Sequence, residues 1–219
     1  MTETSPSAVS VRQQRNIRLT VIGLLVLVVI IVGGFVRQMS QPRVMSDSEL
    51  KLNGAFMFEV PRALPEFELV DHRGLPFTPA DFEGHWTLVF FGFTYCPDIC
   101  PTTMAFLARL MGELEAVPEA AGTRVMMISV DPARDTPQRL AEYVPYFHPD
   151  FVGVTGEFLE IHRLATGLNT PFRKTPGEDD NYLVEHSANV VLINPRGHYH
   201  GFFKAPLDIN KMTLTYRSV

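Results

Sequence analysis

Cys96 and Cys100 are the residues of this chain best suited to chemistry, and they are its only two cysteines. They lie four positions apart, after the apolar run of residues 87–93 and directly before Pro101, which is typical of a helix start. The pattern predicts a strand, a turn and a helix, with both sulfur atoms on one face of the first helical turn. Such a dithiol exchanges with disulfides or binds a soft metal ion, and we expect the helix N-terminus to lower the thiol pKa values.

A purely structural disulfide is the plainer alternative for this cysteine pair. Two cysteines are too few for a disulfide-stapled scaffold, and a domain of this size has a hydrophobic core to stabilise it. A disulfide across four residues is also cramped. We therefore expect Cys96 and Cys100 to be a functional, redox-active pair.

A histidine far along the chain is expected to approach the two thiols. His186 lies just before residues 189–194, an apolar run that predicts a buried strand. If that strand runs antiparallel to residues 87–93, it begins beside the end of the other strand, the edge where sites form in open α/β sheets. A lone histidine is more often structural, but two thiolates and an imidazole suit Cu(I) above all, and also Cu(II) or Zn(II).

Three acidic residues and a histidine pair are further candidates. Asp131 ends a predicted strand at the same edge of the sheet as the cysteines. There it either orders the metal site, electrostatically or through a hydrogen bond, or only forms a helix-entry turn. Asp135 and Thr136 are expected to cap the next helix, and Asp98 is expected to be a solvated turn residue. His198 and His200 point to one face of a predicted strand, where a polar hairpin edge is favoured over a second metal site.

The remaining pattern predicts the elements that would hold these residues. Apolar runs alternate with amphipathic segments, which predicts a β-α-β-α-β-β-α core. The predicted strands cover residues 67–70, 75–78, 87–93, 124–130, 151–154, 189–194 and 198–203; the predicted helices cover residues 101–114, 136–147, 158–168 and 208–216; and residues 171–182 are expected to form a loop. The fold class is therefore α/β, a thioredoxin-like layout with an added N-terminal β-hairpin.

The N-terminal part of the chain predicts a single transmembrane helix. Residues 19–36 carry no charge, and a helix of that length spans about 27 Å, close to the roughly 30 Å of a bilayer core. A cleaved signal peptide would have a shorter apolar region and a small-residue cleavage site, which residues 37–43 lack. More arginines precede the stretch than follow it. This favours an N-terminus inside and the rest of the chain in the periplasm, or in the mitochondrial intermembrane space.

We therefore expect four parts in the chain: a cytoplasmic tail (1–18), a transmembrane anchor (19–36), a linker (37–62) and a thioredoxin-like domain (63–219). The formal net charge is −5 and the sequence has no basic stripe, so nucleic-acid binding is not expected. An acidic surface of this kind attracts cations or basic partners.

Three segments of the sequence form a recognisable set: FGFTYCPDICPTT at residues 91–103, SVDPARDTP at residues 129–137 and EHSANVVLINP at residues 185–195. Together they resemble the Sco family, the copper-binding assembly proteins of cytochrome c oxidase. The resemblance covers about residues 60–216, and an N-terminal anchor is usual in that family. It implies a thioredoxin-like fold and one copper ion held by Cys96, Cys100 and His186. It further implies delivery of copper to, or reduction of, the dinuclear copper site of oxidase subunit II.

The expected function is thus a membrane-anchored copper chaperone, which takes copper from an upstream donor and passes it to the oxidase subunit or another acceptor. In the oxidised, metal-free form Cys96 and Cys100 would form a disulfide, which couples redox state to metal occupancy. A thiol–disulfide oxidoreductase acting on the oxidase cysteines would use the same dithiol without a metal. A thiol peroxidase and a redox sensor are further alternatives. Stoichiometric copper in protein with reduced cysteines would distinguish the chaperone from these.

Overall fold

The computed structural model describes residues 11–39, 45–175 and 182–218. The chain divides into two compact units, Met1–Arg43 and Val44–Val219. The described part of the first unit is one helix, α1 (Val11–Met39), and its stretch Gln13–Gln38 is long and apolar enough to cross a membrane. The helix extends past both ends of the predicted 19–36 span because the flanking Gln and Arg residues are good helix formers. Residues 1–10 of the predicted tail lie outside the described residues.

The second unit is built on one mixed sheet of eight strands and a separate two-stranded sheet. Its elements are α2 (Asp47–Leu52), β1 (Ala55–Ala63), β2 (Leu69–Asp71), β3 (Pro76–Phe77), β4 (Thr87–Gly92), α3 (Ile99–Leu114), β5 (Arg124–Ser129), α4 (Pro137–Phe147), β6 (Val152–Thr155), α5 (Phe158–Gly167), β7 (Arg173–Thr175), β8 (Leu183–Glu185), β9 (Val190–Ile193), β10 (His198–Phe203) and α6 (Ile209–Tyr216), with short 3-10 turns at Pro79–Phe82 and Pro118–Ala120. The large sheet has the order β1-β10-β9-β4-β5-β6-β2-β3.

The centre of the large sheet is thioredoxin-like, as predicted. Strands β4, β5 and β6 are parallel and are joined by α3 and α4, whereas β9 runs antiparallel to β4. In that register Phe90 lies opposite Val190, so the start of β9 meets the end of β4. The predicted hairpin is also present: β2 and β3 pair antiparallel, and β2 joins the sheet through β6.

The strand that leads to the cysteines lies in the middle of the core. Every residue of β4 is buried, and so is every residue of β9. Helix α3 packs on the sheet through a buried apolar face that includes Met104, Leu107 and Leu110. Each such side chain contributes about 1.5–3 kcal/mol on burial. The loop that carries the first cysteine is therefore attached to a rigid strand at one end and a well-packed helix at the other.

The prediction that residues 37–62 form a linker was wrong for residues 45–62, and residues 40–44 lie outside the described residues. Helix α1 continues to Met39, and α2 begins with a capping box in which Ser46 and Glu49 exchange hydrogen bonds. Strand β1 then pairs with β10, with Ala55 opposite Phe203. Most of β1 is partly or fully exposed, so it lacks a strong apolar run, and its partner strand is remote in sequence. The folded domain therefore begins before residue 63.

The prediction that residues 171–182 are only a loop was also wrong. Arg173–Thr175 forms β7, which pairs antiparallel with β8, with Arg173 opposite Glu185. Residues 176–181 lie outside the described residues. Both strands have only three residues, and β7 is polar throughout, so no periodicity marks them. The resulting hairpin, β7–β8, leads directly to His186.

Candidate metal centre

Cys96, Cys100 and His186 come together at the carboxyl end of β4. One ligand atom from each, two Sγ atoms and an imidazole nitrogen, lie within 4.8 Å of one another. Nε2 of His186 is 3.4 Å from Sγ of Cys100, although 86 positions separate the two residues in the chain. In the part of the chain that the structure describes, this is the only group of three or more His, Cys, Asp or Glu residues arranged to hold a metal ion.

The two thiols differ in exposure. Helix α3 begins at Ile99, two residues before Pro101, so Cys100 lies in the first helical turn and is fully buried. Cys96 lies in the preceding turn and is partly exposed, and its Sγ accepts the backbone N–H of Cys100 at 3.4 Å. Both cysteines are free thiols. Cys96 is consequently the sulfur that an outside molecule reaches first.

The expectation of a lowered thiol pKa was wrong for Cys100. Burial raises the pKa of this thiol well above its usual value, and the nearby Cys96 and Asp135 raise it further. A hydrogen bond from the backbone of Phe93 opposes this effect in part. In a buried site the loss of hydration outweighs the helix N-terminus, which contributes only over its first turn. Cys100 is therefore protonated at neutral pH until a cation replaces its proton.

His186 is packed between two aromatic rings and presents one nitrogen to the thiols. Its ring centroid lies 5.8 Å from that of Phe90 and 5.7 Å from that of Phe93, both in edge-to-face geometry. Nδ1 is 3.1 Å from the carbonyl oxygen of Ser187, to which Nδ1–H donates. That hydrogen bond selects the tautomer in which Nε2 has a free lone pair directed at Cys100.

The charge of His186 also suits a metal ligand. Burial lowers the pKa of the imidazole, and the backbone of Ser187 and of Phe91, which favours the protonated ring, opposes this in part. A histidine with a pKa below its ordinary value is neutral at pH 7, and only the neutral ring coordinates a metal ion.

A cavity of about 450 Å³ opens beside Cys96 and His186. It is lined by Phe93, Cys96, Pro97, Asp98, Ile99, Thr175, Leu183, Val184, Glu185 and His186. At its rim the side chains of Ile99 and Leu183 are about half exposed, at 50% and 53%. Apolar walls lower the local dielectric constant and strengthen electrostatic interactions between a cation and the sulfur atoms.

The prediction that Asp135 caps α4 was wrong. It is completely buried, and its carboxylate accepts hydrogen bonds from Thr94 N–H (3.0 Å), Thr94 O–H (2.6 Å) and Ser129 O–H (2.6 Å). The cap of α4 is Thr136, as predicted. Asp135 therefore attaches the loop between β4 and the cysteines to the end of β5. The acidic residue beside a helix start resembled a cap, and nothing local in the sequence revealed its partner across the sheet.

Asp131 is buried at the same edge, and its carboxylate contacts the segment that leads to His186. Tyr182 O–H donates to Oδ1 of Asp131 at 2.6 Å, and Nε of Arg134 donates to Oδ2. Burial and the Asp131 hydrogen bond raise the pKa of Tyr182 to about 12, so the phenol remains a donor at neutral pH. Tyr182 was not identified from the sequence, where it stands in an irregular polar stretch.

The remaining candidates take ordinary roles in the structure. Asp98 is exposed before α3, where its Oδ1 is 3.5 Å from Thr102 Oγ1. His200 is half-buried with its ring against the edge of Trp86, and burial lowers its pKa. His198 is half-buried on the same strand. Neither belongs to a cluster of three metal-ligating residues within the described ranges. The predicted polar edge was wrong, because β10 lies between β9 and β1 in the sheet.

Gly92 is a site residue that the sequence analysis did not single out. A Cβ atom at this position would lie 3.0 Å from Sγ of Cys100 and 2.7 Å from the ring of Phe90. The glycine therefore allows the end of β4 to pass close to the thiol. A glycine inside an otherwise apolar strand is the signal that could have revealed this close approach.

The fold and the site together define a class: thioredoxin-like proteins in which a dithiol and a histidine come together as one candidate metal centre. The comparison with known families specifies it further, because the SCO1/SenC family model matches residues 59–219. This chain belongs to that family.

Relatives and solved structures agree with this assignment. A protein of Stutzerimonas stutzeri is 39% identical over 171 residues, which are 77% of this chain and 83% of that protein. The mitochondrial SCO2 homologue of Bos taurus is 37% identical over 153 residues, 69% of this chain but only 58% of that protein's length. Among solved structures, Arabidopsis thaliana ScoI with copper bound has a TM-score of 0.64 at 36% identity, over 68% of this chain and 92% of that one. Yeast Sco1 with copper bound has a TM-score of 0.64 at 31% identity, over 70% and 85%.

Proposed function

We propose that this protein binds one copper ion through Cys96, Cys100 and His186 and delivers it to the dinuclear copper site of a cytochrome c oxidase subunit. The observation that carries the proposal is the convergence of two sulfur atoms and Nε2 of His186 within 4.8 Å. Copper-bound structures of similar plant and yeast proteins support it. The acceptor follows from the resemblance to the Sco family.

The donor set favours Cu(I). Thiolates are soft ligands that select Cu(I), and a neutral imidazole adds a third ligand without adding charge. A Cu(I) ion with two thiolates and this histidine has a net charge of −1. Binding at neutral pH displaces the proton that burial retains on Cys100. Copper uptake is therefore coupled to proton release at this position.

The difference in exposure sets an order for delivery. Cys96 and His186 border the cavity, whereas Cys100 is fully buried. An acceptor thiolate reaches the ion from the cavity side and displaces Cys96 first. Cys100 is the last ligand to leave and is reprotonated when the ion departs.

Loss of the histidine is expected to weaken copper retention. His186→Ala removes one of three ligands. The Cu(I) dissociation constant is expected to rise by more than the 10–100-fold that is typical when a residue hydrogen-bonded to a metal ligand is replaced. A competition titration of the detergent-purified full-length protein measures this. His198→Ala is the matched control, since it removes a half-buried histidine from β10. An unchanged dissociation constant in His186→Ala would exclude His186 from the site.

Helix α1 is the proposed membrane anchor, with the copper-binding domain in the periplasm or the mitochondrial intermembrane space. Its length and hydropathy support this, and residues 37–43 offer no small-residue cleavage site. The mature protein extracted from membranes is expected to retain residues 19–36, as N-terminal sequencing would show. A new N-terminus between residues 37 and 46 would contradict the anchor.

A thiol–disulfide oxidoreductase is the second candidate function. It is favoured by one observation: a partly exposed thiol, Cys96, lies next to a buried thiol, Cys100, as in a pair of attacking and resolving cysteines. A thiol–disulfide oxidoreductase would not require His186. Variants of the histidine therefore distinguish the two functions.

A further inference from the structure

We propose that Asp131 and Tyr182 form a latch that positions His186 for copper, so that both are positioning residues of the metal centre. The inference rests on the proposed function and deepens it. Neither residue is one of the three ligands. Both act through the hairpin β7–β8, which ends one residue before His186.

The described residues of the hairpin form no backbone ladder with the main sheet. Strands β7 and β8 form a two-stranded sheet of their own, with three residue pairs from Arg173–Glu185 to Thr175–Leu183. A short isolated hairpin is at best marginally stable. On its N-terminal side, the position of His186 therefore depends on side chains that attach the hairpin to the rest of the domain, in addition to its packing against Phe90 and Phe93.

Tyr182, which directly precedes β8, makes the most extensive of these attachments. Its O–H donates to Asp131 at 2.6 Å, and both side chains are buried. Arg134 donates to Asp131, donates to the carbonyl oxygen of Tyr182 at 3.1 Å, and lies 3.8 Å above its ring. Nζ of Lys174, from β7, is 3.3 Å from the centroid of the same ring. Main chain and side chain of Tyr182 are thus both held.

The same short segment also holds the thiol-bearing loop. Ser129 Oγ accepts the backbone N–H of Asp131 at 3.0 Å and donates to Asp135 at 2.6 Å. Asp135 in turn holds Thr94, two residues before Cys96. The segment from Ser129 to Asp135 is therefore a common support for the sulfur side and the nitrogen side of the centre. A change of the Asp131 side chain removes the contact with Tyr182 directly, whereas the hydrogen bonds from Thr94 and Ser129 to Asp135 remain.

Tyr182→Phe is the sharpest test, because it removes one oxygen atom and leaves the ring in place for Arg134 and Lys174. In the full-length protein we expect the Cu(I) dissociation constant to rise about 10–100-fold. X-ray absorption should show the nitrogen contribution to copper reduced while both sulfurs remain. Asp131→Asn, which keeps the side-chain size and removes the charge, is expected to change both measurements in the same direction.

Tyr216→Phe is the matched control. Tyr216 is fully buried and contacts Trp86, which precedes β4, so it lies at the end of the sheet opposite the cysteines. Removing its hydroxyl should leave copper binding unchanged. A second comparison places Tyr182→Phe in a His186→Ala background, where a residue that acts through His186 has no further effect.

The outcomes separate the latch from the copper site itself. Wild-type copper affinity and an intact nitrogen signal in Tyr182→Phe would overturn the latch, while the copper site would stand if His186→Ala still weakens binding. An equal loss with and without His186 would assign Tyr182 a general structural role and also overturn the latch. No loss in His186→Ala itself would refute the proposed site.

Discussion

Replacing both cysteines with alanine is expected to remove tight copper binding from the full-length protein. Cys96 and Cys100 supply both soft ligands of the candidate centre, and His186 alone offers one nitrogen. The affinity for Cu(I) should fall by more than about 100-fold. This exceeds the 10–100-fold loss that is typical when only a residue hydrogen-bonded to a metal ligand is replaced. A competition titration with a Cu(I) chelator measures this loss. X-ray absorption of the unaltered protein should show two sulfurs at roughly 2.3 Å and one nitrogen near 2.0 Å, by analogy with zinc centres.

The single variants refine this result. Cys96→Ala removes a partly exposed thiol and should weaken binding with little effect on the free energy of unfolding. Cys100→Ala also leaves a small cavity in the core, so it should lower stability as well as affinity.

Met111→Leu is the control for other soft ligands, because it replaces a partly buried thioether on α3 with a side chain of similar volume. Its copper affinity should equal that of the unaltered protein. If one copper ion per chain still bound tightly without both cysteines, the assignment of the centre would be wrong.

Deleting the gene is expected to reduce cytochrome c oxidase activity most strongly when copper is scarce. A chaperone matters when free diffusion cannot load the acceptor site, so added copper should partly restore activity. A pure thiol reductase makes a different forecast: external reductant should restore activity and copper should not. The Cys96→Ser, Cys100→Ser double variant should behave like the deletion in either case, since both functions need the dithiol.

The His186→Ala variant decides between the two functions in the cell. It retains both thiols and therefore the capacity for dithiol exchange, but it lacks the nitrogen ligand. Oxidase activity at limiting copper should fall well below that of the unaltered strain and recover with added copper. Full activity of this variant at limiting copper would end the chaperone proposal and leave the oxidoreductase in its place. Immunodetection of equal protein amounts is the necessary control.

The strongest local patterns predicted their elements well. The fully buried β4 and β9 appear in the sequence as continuous apolar runs, and the apolar face of α3 recurs at helical spacing. The position of His186 could be inferred because antiparallel pairing of β4 and β9 brings the start of one strand to the end of the other. Such inferences succeed because a strand that is buried along its whole length is composed of apolar residues, and this run is visible in the sequence.

Weakly patterned segments were missed. Strand β1 is largely exposed and pairs with β10, so its place in the sheet depends on a partner more than a hundred residues away. The three-residue strands of the hairpin β7–β8 are too short for any periodicity. Their structure is decided by non-local pairing rather than by local preference.

The sequence alone determined the α/β layout, the dithiol at a helix start and the histidine that meets it, since these depend on residue type and on the period of burial. Only the tertiary structure decided how the centre is supported. Asp135 holds the thiol loop instead of capping a helix, Tyr182 reaches Asp131 across the sheet edge, and burial raises the pKa of Cys100. Hydrogen-bond partners and loss of hydration are properties of neighbours in space, and for these residues the neighbours come from distant parts of the chain.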